Sequence, residues 1–371
     1  MKKSCLFLLV LGSGLISFAQ ERASRFEQWD RNKDGTLTVE ELPEILRKNF
    51  SRVDRDGDGV ISREEDAAIR DRSGKGKGKG PGLPDSVEKL ADLDYAGTKN
   101  PRQALDLFLP KERSAEAAPL PLVVFIHGGG WRNGDKSSGW TRLRELVESG
   151  DYAAASIGYR LSGEAQWPAQ IHDCKAAVRW LRAHASGYGY DPEKIAVWGS
   201  SAGGHLVAML GVSSGVGELE GSIGTHGEVS SGVTCVVNFF GPSELLTMND
   251  HPSTIDHDAT TSPESLLIGG AIQENPDKAK KASPIHWVSP DDKPSLIVHG
   301  TEDQLVPYPQ SVEFEKKLEG AGVPTVLLTV EGGGHGKGFG PAVTEAVKVF
   351  LDHHLRGQEK TVNDATIASG R

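Results

Sequence analysis

Cysteine is scarce. Three occur in 371 residues, and only Cys174 and Cys235 lie beyond the first twenty. A mature chain can hold one disulfide at most. Two buried free thiols fit the helical pattern around Cys174 and the strand pattern around Cys235 at least as well. Positive charge is in deficit: 41 Lys and Arg stand against 51 Asp and Glu, a formal net charge of −10. Nucleic-acid binding as a main activity needs a basic surface, so that class is excluded. Apolar runs of membrane length are missing after the first twenty residues, so no membrane span is expected in the mature chain.

Those first residues read MKKSCLFLLVLGSGLISFAQ. Lys2 and Lys3 precede an apolar stretch over residues 6–16, too short to span a bilayer, and Ser17, Phe18 and Ala19 form a small-x-small site. A secretory signal over residues 1–19 is expected, which implies an extracytoplasmic protein. Cys5 lies too early to carry a lipid at that cut. Losing Lys2 and Lys3 takes the charge to −12 (−10 minus +2).

The remainder has three parts and a tail. Residues 22–72 are short, charged and rich in Asp. Residues 73–86 are nearly all Gly, Lys and Pro and read as a flexible linker. Residues 87–356 alternate short apolar runs with helical patterns. The runs include LPLVVFIHG from residue 120, KIAVWG from 194, VTCVVNFFG from 233, PSLIVHG from 294 and TVLLTVEG from 325. Such runs suit strands buried on both faces of a parallel sheet. Ile171, Cys174, Ala177, Val178 and Leu181 keep helical i, i+3, i+4 spacing. Alternation from Ala104 to Leu109 predicts an antiparallel edge strand. The predicted class is therefore α/β, a mostly parallel sheet flanked by helices, preceded by a small helical module. The polar tail, residues 357–371, is expected to be disordered.

The small part carries metal-loop spacing twice. In DRNKDGTLTVEE, Asp30, Asn32 and Asp34 fall at positions 1, 3 and 5, Gly35 at 6, the Thr36 carbonyl at 7 and Glu41 at 12. In DRDGDGVISREE, the same places are taken by Asp54, Asp56, Asp58, Gly59, the Val60 carbonyl and Glu65. A hard cation wants six to eight oxygens, glycine allows the sharp turn, and the distal Glu can offer two oxygens. Two complete matches in tandem resemble a compact EF-hand pair and imply bound Ca²⁺. Leu37 and Ile61, both at position 8, are expected to pair as a short β-bridge. The expected role is structural, because the Gly-rich linker would transmit strain poorly.

The large part carries a nucleophile pattern. In GSSAG, Ser201 is the central residue of G-x-S-x-G, with Gly199 and Gly203 beside it and Ser200 in the variable place. A strand precedes it and a helical run follows, the setting that pushes a serine hydroxyl above a sheet. Residues 127–131, HGGGW, follow an earlier strand. Their glycines let backbone amides approach an oxyanion, so Gly129 and Gly130, with Ala202, are the expected donors. The acid and base should follow in the order Asp, His. Asp303 ends a strand and precedes a QLVP turn, which favours it over Glu302. His335 lies in a Gly loop after the last strand, in the place of a general base.

These stretches, with YRLS (159–162), residues 167–182 and SPESLLIGG (262–270), resemble the α/β-hydrolase superfamily over almost all of residues 87–356. They are most similar to bacterial esterases related to hormone-sensitive lipase and to feruloyl/acetylxylan esterases. The resemblance implies a serine carboxylesterase with the triad Ser201, Asp303 and His335, no catalytic cofactor, and a short-acyl or hydroxycinnamoyl ester on plant or algal polysaccharide as substrate. It makes Trp131, Trp167 and Phe240 candidates for the pocket wall. A serine peptidase of the same fold and a calcium-dependent scaffold with an inactive hydrolase part are the rival readings.

Overall fold

The computed structural model describes residues 82–370 except 115 and 116, and, nearer the N-terminus, residues 26, 29–42, 47, 50–54, 58–63 and 65. The expected signal (1–19), most of the linker (73–86) and Asp56 lie outside the described residues. The chain divides into two compact units, Met1–Gly80 and Pro81–Arg371.

In the first unit, β1 (Thr36–Leu37) and β2 (Ile61–Ser62) pair antiparallel, with Leu37 opposite Ile61. This is the bridge expected between the loops. Leu37 and Ile61 are buried with Phe26 and Leu42, and Trp29, Phe50 and Val53 pack around them. Among the described residues four buried side chains make this core, and a core of that size stabilises little by itself.

The second unit is built on one nine-stranded sheet. Its strands are β3 (Val87–Asp94), β4 (Ala104–Pro110), β5 (Leu120–Ile126), β6 (Ala153–Ile157), β7 (Tyr190–Ser200), β8 (Cys235–Phe239), β9 (Ser295–Gly300), β10 (Thr325–Glu331) and β11 (Ala365–Ala368). The spatial order is β11-β10-β9-β8-β7-β5-β6-β4-β3. β4 runs antiparallel to both β3 and β6, and every other pairing is parallel.

Both faces are covered. Along β5, Leu122, Val124 and Ile126 join one apolar cluster, which includes Ile171, Cys174, Val178 and Leu181 of α2 (Ala169–Tyr188). Val123 and Phe125 join the other, with Leu143, Leu146 and Val147 of α1 (Trp140–Glu148). Alternate side chains of a strand point to opposite faces, so a strand packed on both sides must be apolar throughout. α3 (Ala202–Val212) is buried along its whole length. Two short helices complete the site region, α4 (Pro263–Ile268) and α5 (Pro309–Gly320), and α6 (Pro341–Arg356) adds Val343, Val347, Phe350 and Leu351 to the second cluster. Cys174 and Cys235 are free and buried. Among the described residues no helix is long and apolar enough to cross a membrane.

Two expectations are corrected. The strand at 104–110 is not the sheet edge, because β3 pairs along its outer side from Val87↔Pro110 to Asp94↔Ala104. Its charged sequence VEKLADLD hid it: an edge strand needs only one apolar face, and Val87 alone is fully buried in it. Nor does the polar tail stay outside the fold. Ala365–Ala368 runs parallel to β10, from Leu328↔Ala365 to Glu331↔Ala368. A strand edge offers unpaired amides and carbonyls, and the tail meets them mainly with its backbone, while Asp364 Oδ1 accepts from Leu327 N at 2.9 Å and Val362 and Ile367 pack on the second cluster.

Candidate active site

The site lies beyond the carboxyl ends of β5, β7, β8, β9 and β10, where the strand order reverses around β5. Parallel sheets gather their sites at such a point.

Ser201 follows β7 directly and takes φ 57°, ψ −124°, a conformation rare for any residue with a side chain. The backbone is clamped there. Ser201 N–H donates to Phe239 O at 2.9 Å, and His205 N–H donates to Ser201 O at 2.9 Å. The flanking glycines are required by space. A Cβ on Gly199 would sit 2.2 Å from Gly203 O, and one on Gly203 would sit 2.1 Å from Ile126 O.

The Gly loop after β5 approaches the same point. Gly129 and Gly130 have φ of 117° and 58°, and Trp131, a non-glycine, has φ 55°. The amides of Gly129, Gly130 and Ala202 donate to no protein acceptor among the described residues. Such free donors are what a developing oxyanion needs. Neutral imidazoles brace the loop. His127 stacks on Tyr159 with centroids 4.3 Å apart, and its Nδ1 donates to Gly128 O at 2.8 Å. The Tyr159 hydroxyl donates to His127 O at 2.9 Å. Trp131 Nε1 donates to His205 Nδ1 at 3.2 Å, and His205 Nε2 donates to Ala282 O at 2.6 Å. Burial pushes both imidazoles down to about 4. Behind them, Arg160 grips the buried Asp173 carboxylate at 2.8 Å.

Asp303 follows β9. Its Oδ1 accepts from Leu305 N and Val306 N at 2.8 and 3.0 Å, so the QLVP turn is the cradle of the carboxylate. Its Oδ2 accepts from His335 Nδ1 at 2.7 Å and faces His299 Nε2 at 3.2 Å. Burial raises this carboxyl, but the hydrogen bonds from His299 and His335 outweigh it and hold the group well below the usual carboxylate range. Glu302 is exposed, and its amide ties the strand end to Gly333 O at 2.8 Å. His335 lies beyond β10, against the ring of Phe240 with centroids 4.4 Å apart.

Ser201, His335, Gly129, Gly130, Trp131 and Phe240 all line one pocket of about 510 Å³. Trp167 does not. Its amide donates to Leu267 O at 2.8 Å, which turns it behind His205 and onto a separate cleft with Pro168 and Leu219. The sequence reading also passed over part of the pocket wall: Arg142, Ile255, His257, Glu264 and Leu305. Of these, Glu264 and Leu305 fell within quoted motifs, and no spacing rule ties residues of separate helices and loops to one pocket.

The metal loops repeat one geometry. In the first, Asp30 Oδ2 accepts from Gly35 N at 3.0 Å, Asp34 Oδ1 from Thr36 N at 2.9 Å, and Glu41 Oε2 from Thr38 N at 2.9 Å. In the second, Asp54, Asp58 and Glu65 accept from Gly59 N, Val60 N and Ser62 N at 3.1, 2.9 and 2.9 Å. Asn32 Oδ1 accepts from Asp34 N at 3.0 Å. Asp30 Oδ1 is buried with no hydrogen-bond partner, an oxygen that fits a bound cation.

A serine on a strand-to-helix elbow, a hydrogen-bonded Asp–His pair and a Gly loop on a mostly parallel sheet define an α/β-hydrolase. The comparisons agree. The BD-FAE family profile matches residues 105–318, and the chain belongs to that family. The EF-hand profile matches residues 22–46 and 46–65. The chain is 30% identical over 269 residues to esterase LipC of Mycobacterium tuberculosis, covering 70% of this chain and 64% of that one. It is 30% identical to esterase LipQ of the same organism and spans 54% of its length. A solved truncated carbohydrate esterase from gut microbiota superposes with TM-score 0.69 at 34% identity, over 75% of this chain and 100% of that chain.

Proposed function

We propose that the protein is an extracytoplasmic serine ester hydrolase that releases short acyl or hydroxycinnamoyl groups from polysaccharide. One observation carries the reading. His335, hydrogen-bonded to Asp303 at 2.7 Å, fronts the same pocket as the Ser201 elbow and the free amides of the Gly loop.

The chemistry follows from those positions. His335 takes the Ser201 Oγ proton as Oγ bonds to the ester carbonyl carbon. The C=O electron pair moves onto oxygen, and the amides of Gly129, Gly130 and Ala202 receive that charge. The C–O bond to the alcohol breaks, His335 gives its proton to the leaving oxygen, and an acyl-Ser201 ester remains. Water repeats the cycle and frees the acid. Asp303 fixes the His335 tautomer with the proton on Nδ1 and stabilises the imidazolium that forms. The carbohydrate-esterase neighbour supports a polysaccharide substrate. Lys2, Lys3 and the apolar stretch after them support export.

The EF-hand pair is proposed to hold Ca²⁺ through Asp30, Asn32, Asp34, the Thr36 carbonyl and Glu41, and through Asp54, Asp56, Asp58, the Val60 carbonyl and Glu65. The ion would neutralise crowded carboxylates and clamp a unit with little core. Extracellular modules of this kind bind at on the order of 10⁻⁴–10⁻³ M.

The test compares p-nitrophenyl acetate, acetylated xylan and methyl ferulate with S201A as control. Release of acetate or ferulate is expected, falling by about four orders of magnitude or more in the variant. Unchanged hydrolysis by S201A would overturn the assignment.

A further inference from the structure

The pocket holds a second acid and imidazole that the mechanism above does not use. His257 and Glu264 are 1% and 3% exposed, and both line the pocket. Glu264 is the second residue of α4, and His257 lies in the loop before it. His257 is fixed from behind: its amide donates to Asn249 Oδ1 at 2.8 Å, and its Nε2 meets Ser253 Oγ at 3.1 Å. Its Nδ1 lies 3.1 Å from Glu264 Oε2. Yet the two atoms are off the line of a hydrogen bond, and both remain buried without one. No other hydrogen bond to the Glu264 carboxyl exists among the described residues.

A buried carboxyl without hydrogen bonds is costly, and its retention calls for a reason. Its position supplies one, since it faces the pocket that Ser201 and His335 also face. The pocket lining mixes apolar groups, Ile255, Pro263 and Leu305 among them, with polar ones. A carboxylate oxygen only accepts hydrogen bonds, so its complement is a donor.

We propose that Glu264, beside His257, is the specificity residue of this pocket, accepting a hydrogen bond from a hydroxyl on the substrate. This rests on the ester-hydrolase reading. The hydroxyl has two possible sources, a sugar hydroxyl beside the ester or the phenol of a hydroxycinnamoyl group. A site that pairs with a substrate hydroxyl rejects analogues lacking it, because its own polar group is then left unpaired.

The test measures preferences, so that a general loss of activity cannot imitate the effect. One arm compares an acetylated methyl xyloside having free neighbouring hydroxyls with the same ester having them O-methylated. The other compares methyl ferulate with methyl 3,4-dimethoxycinnamate. The wild-type protein is expected to prefer the free hydroxyl in at least one arm, and E264L to cut that preference about 10- to 100-fold in kcat/KM. The arm that responds identifies the source. E264Q keeps one carbonyl acceptor and is expected to lose about threefold to tenfold, which carries the test if E264L fails to fold. A preference absent from the wild type, or unchanged in both variants, would overturn the proposal. So would an equal fall on every ester, p-nitrophenyl acetate included, since that marks a structural role. A wild-type protein inactive on p-nitrophenyl acetate would instead remove the ester-hydrolase reading, and this proposal with it.

Discussion

The EF-hand loops and the hydrolase pocket both rest on carboxylates and glycines, but they assemble them on different length scales. Each loop collects its ligands within one short segment, and its hydrogen bonds span two to ten residues, as in Asp34 to Thr36 and Glu41 to Arg31. The pocket collects one group from the end of each of several strands, and Asp303 and His335 are 32 residues apart. In the first arrangement the carboxylates are held by amides of their own loop. The second is held by a sheet with packed helices on both faces. Local chemistry is cheap to encode and weak in isolation, whereas distant chemistry needs a whole core.

The largest expected effect separates the two regions by activity. D303N removes the acceptor that fixes the His335 tautomer and is expected to lower kcat by about 10⁴-fold, with Ca²⁺ affinity by titration calorimetry unchanged. A matching loss of Ca²⁺ binding would break the comparison.

The glycines sharpen it. A methyl group on Gly203 would meet the backbone oxygen Ile126 O at 2.1 Å, which no side-chain rotation can relieve. G203A is expected to cost about 3 kcal/mol or more in urea unfolding of the hydrolase unit. Gly35 has φ +85° but open space around it. G35A then pays only for conformation, about 1–2 kcal/mol, read from the Ca²⁺-loaded first unit.

Calcium removal comes next. Chelation is expected to lower the melting of the first unit by the linkage free energy, about 2.7 kcal/mol at a hundredfold excess over Kd, and to leave the hydrolase transition in place. E41Q with E65Q should abolish the calcium response. One shared transition that moves with calcium would show the units coupled.

Acid distinguishes them further. His127 and His205 titrate at about 4 when folded and near 6.5 when unfolded. The unfolded chain therefore binds more protons over that window, and hydrolase stability falls as pH drops from 6.5 to 4. Each imidazole contributes roughly 3 kcal/mol across it. In the first loop, backbone and side-chain hydrogen bonds from Thr36 lower Asp34, and the Thr38 amide lowers Glu41. Depressed carboxylates lose their contribution only as pH falls below the ordinary carboxylate range, so the loop should outlast the pocket in an acid titration followed by circular dichroism.

The smallest effect lies on α5. Burial, with Asp364 and Glu319 nearby, raises the Glu315 carboxyl to about 7. Its folded form favours the proton, so stability is lost as pH rises from the ordinary carboxylate value through 7. E315Q is expected to raise melting by about 1–2 °C at pH 8 and by nothing at pH 4.

Much of this was legible in the primary structure, for reasons that differ by residue. Ser201 could be read because an elbow forces glycine at 199 and 203, and Asp303 because its own turn caps it. Trp167 misled, since an aromatic within a quoted motif says nothing about which side of His205 it will reach. The tail strand escaped because backbone pairing does most of the holding and Ile367 alone of its four residues turns inward, too little to mark the composition. His299 reads as one more strand residue. Only the fold brings its Nε2 to 3.2 Å from Asp303, while its Nδ1 accepts from Ser311 Oγ at 2.7 Å.

The sequence by itself determined whatever depends on near neighbours: the spacing of the loop ligands, the glycines of the elbow and the apolar alternation of the buried strands. Tertiary structure alone decided that His299 joins His335 at Asp303, that Trp167 leaves the pocket, and that His257 and Glu264 enter it. The physical reason is that contacts across the sheet follow from strand order and register, set by the packing of the whole core and written in no single segment.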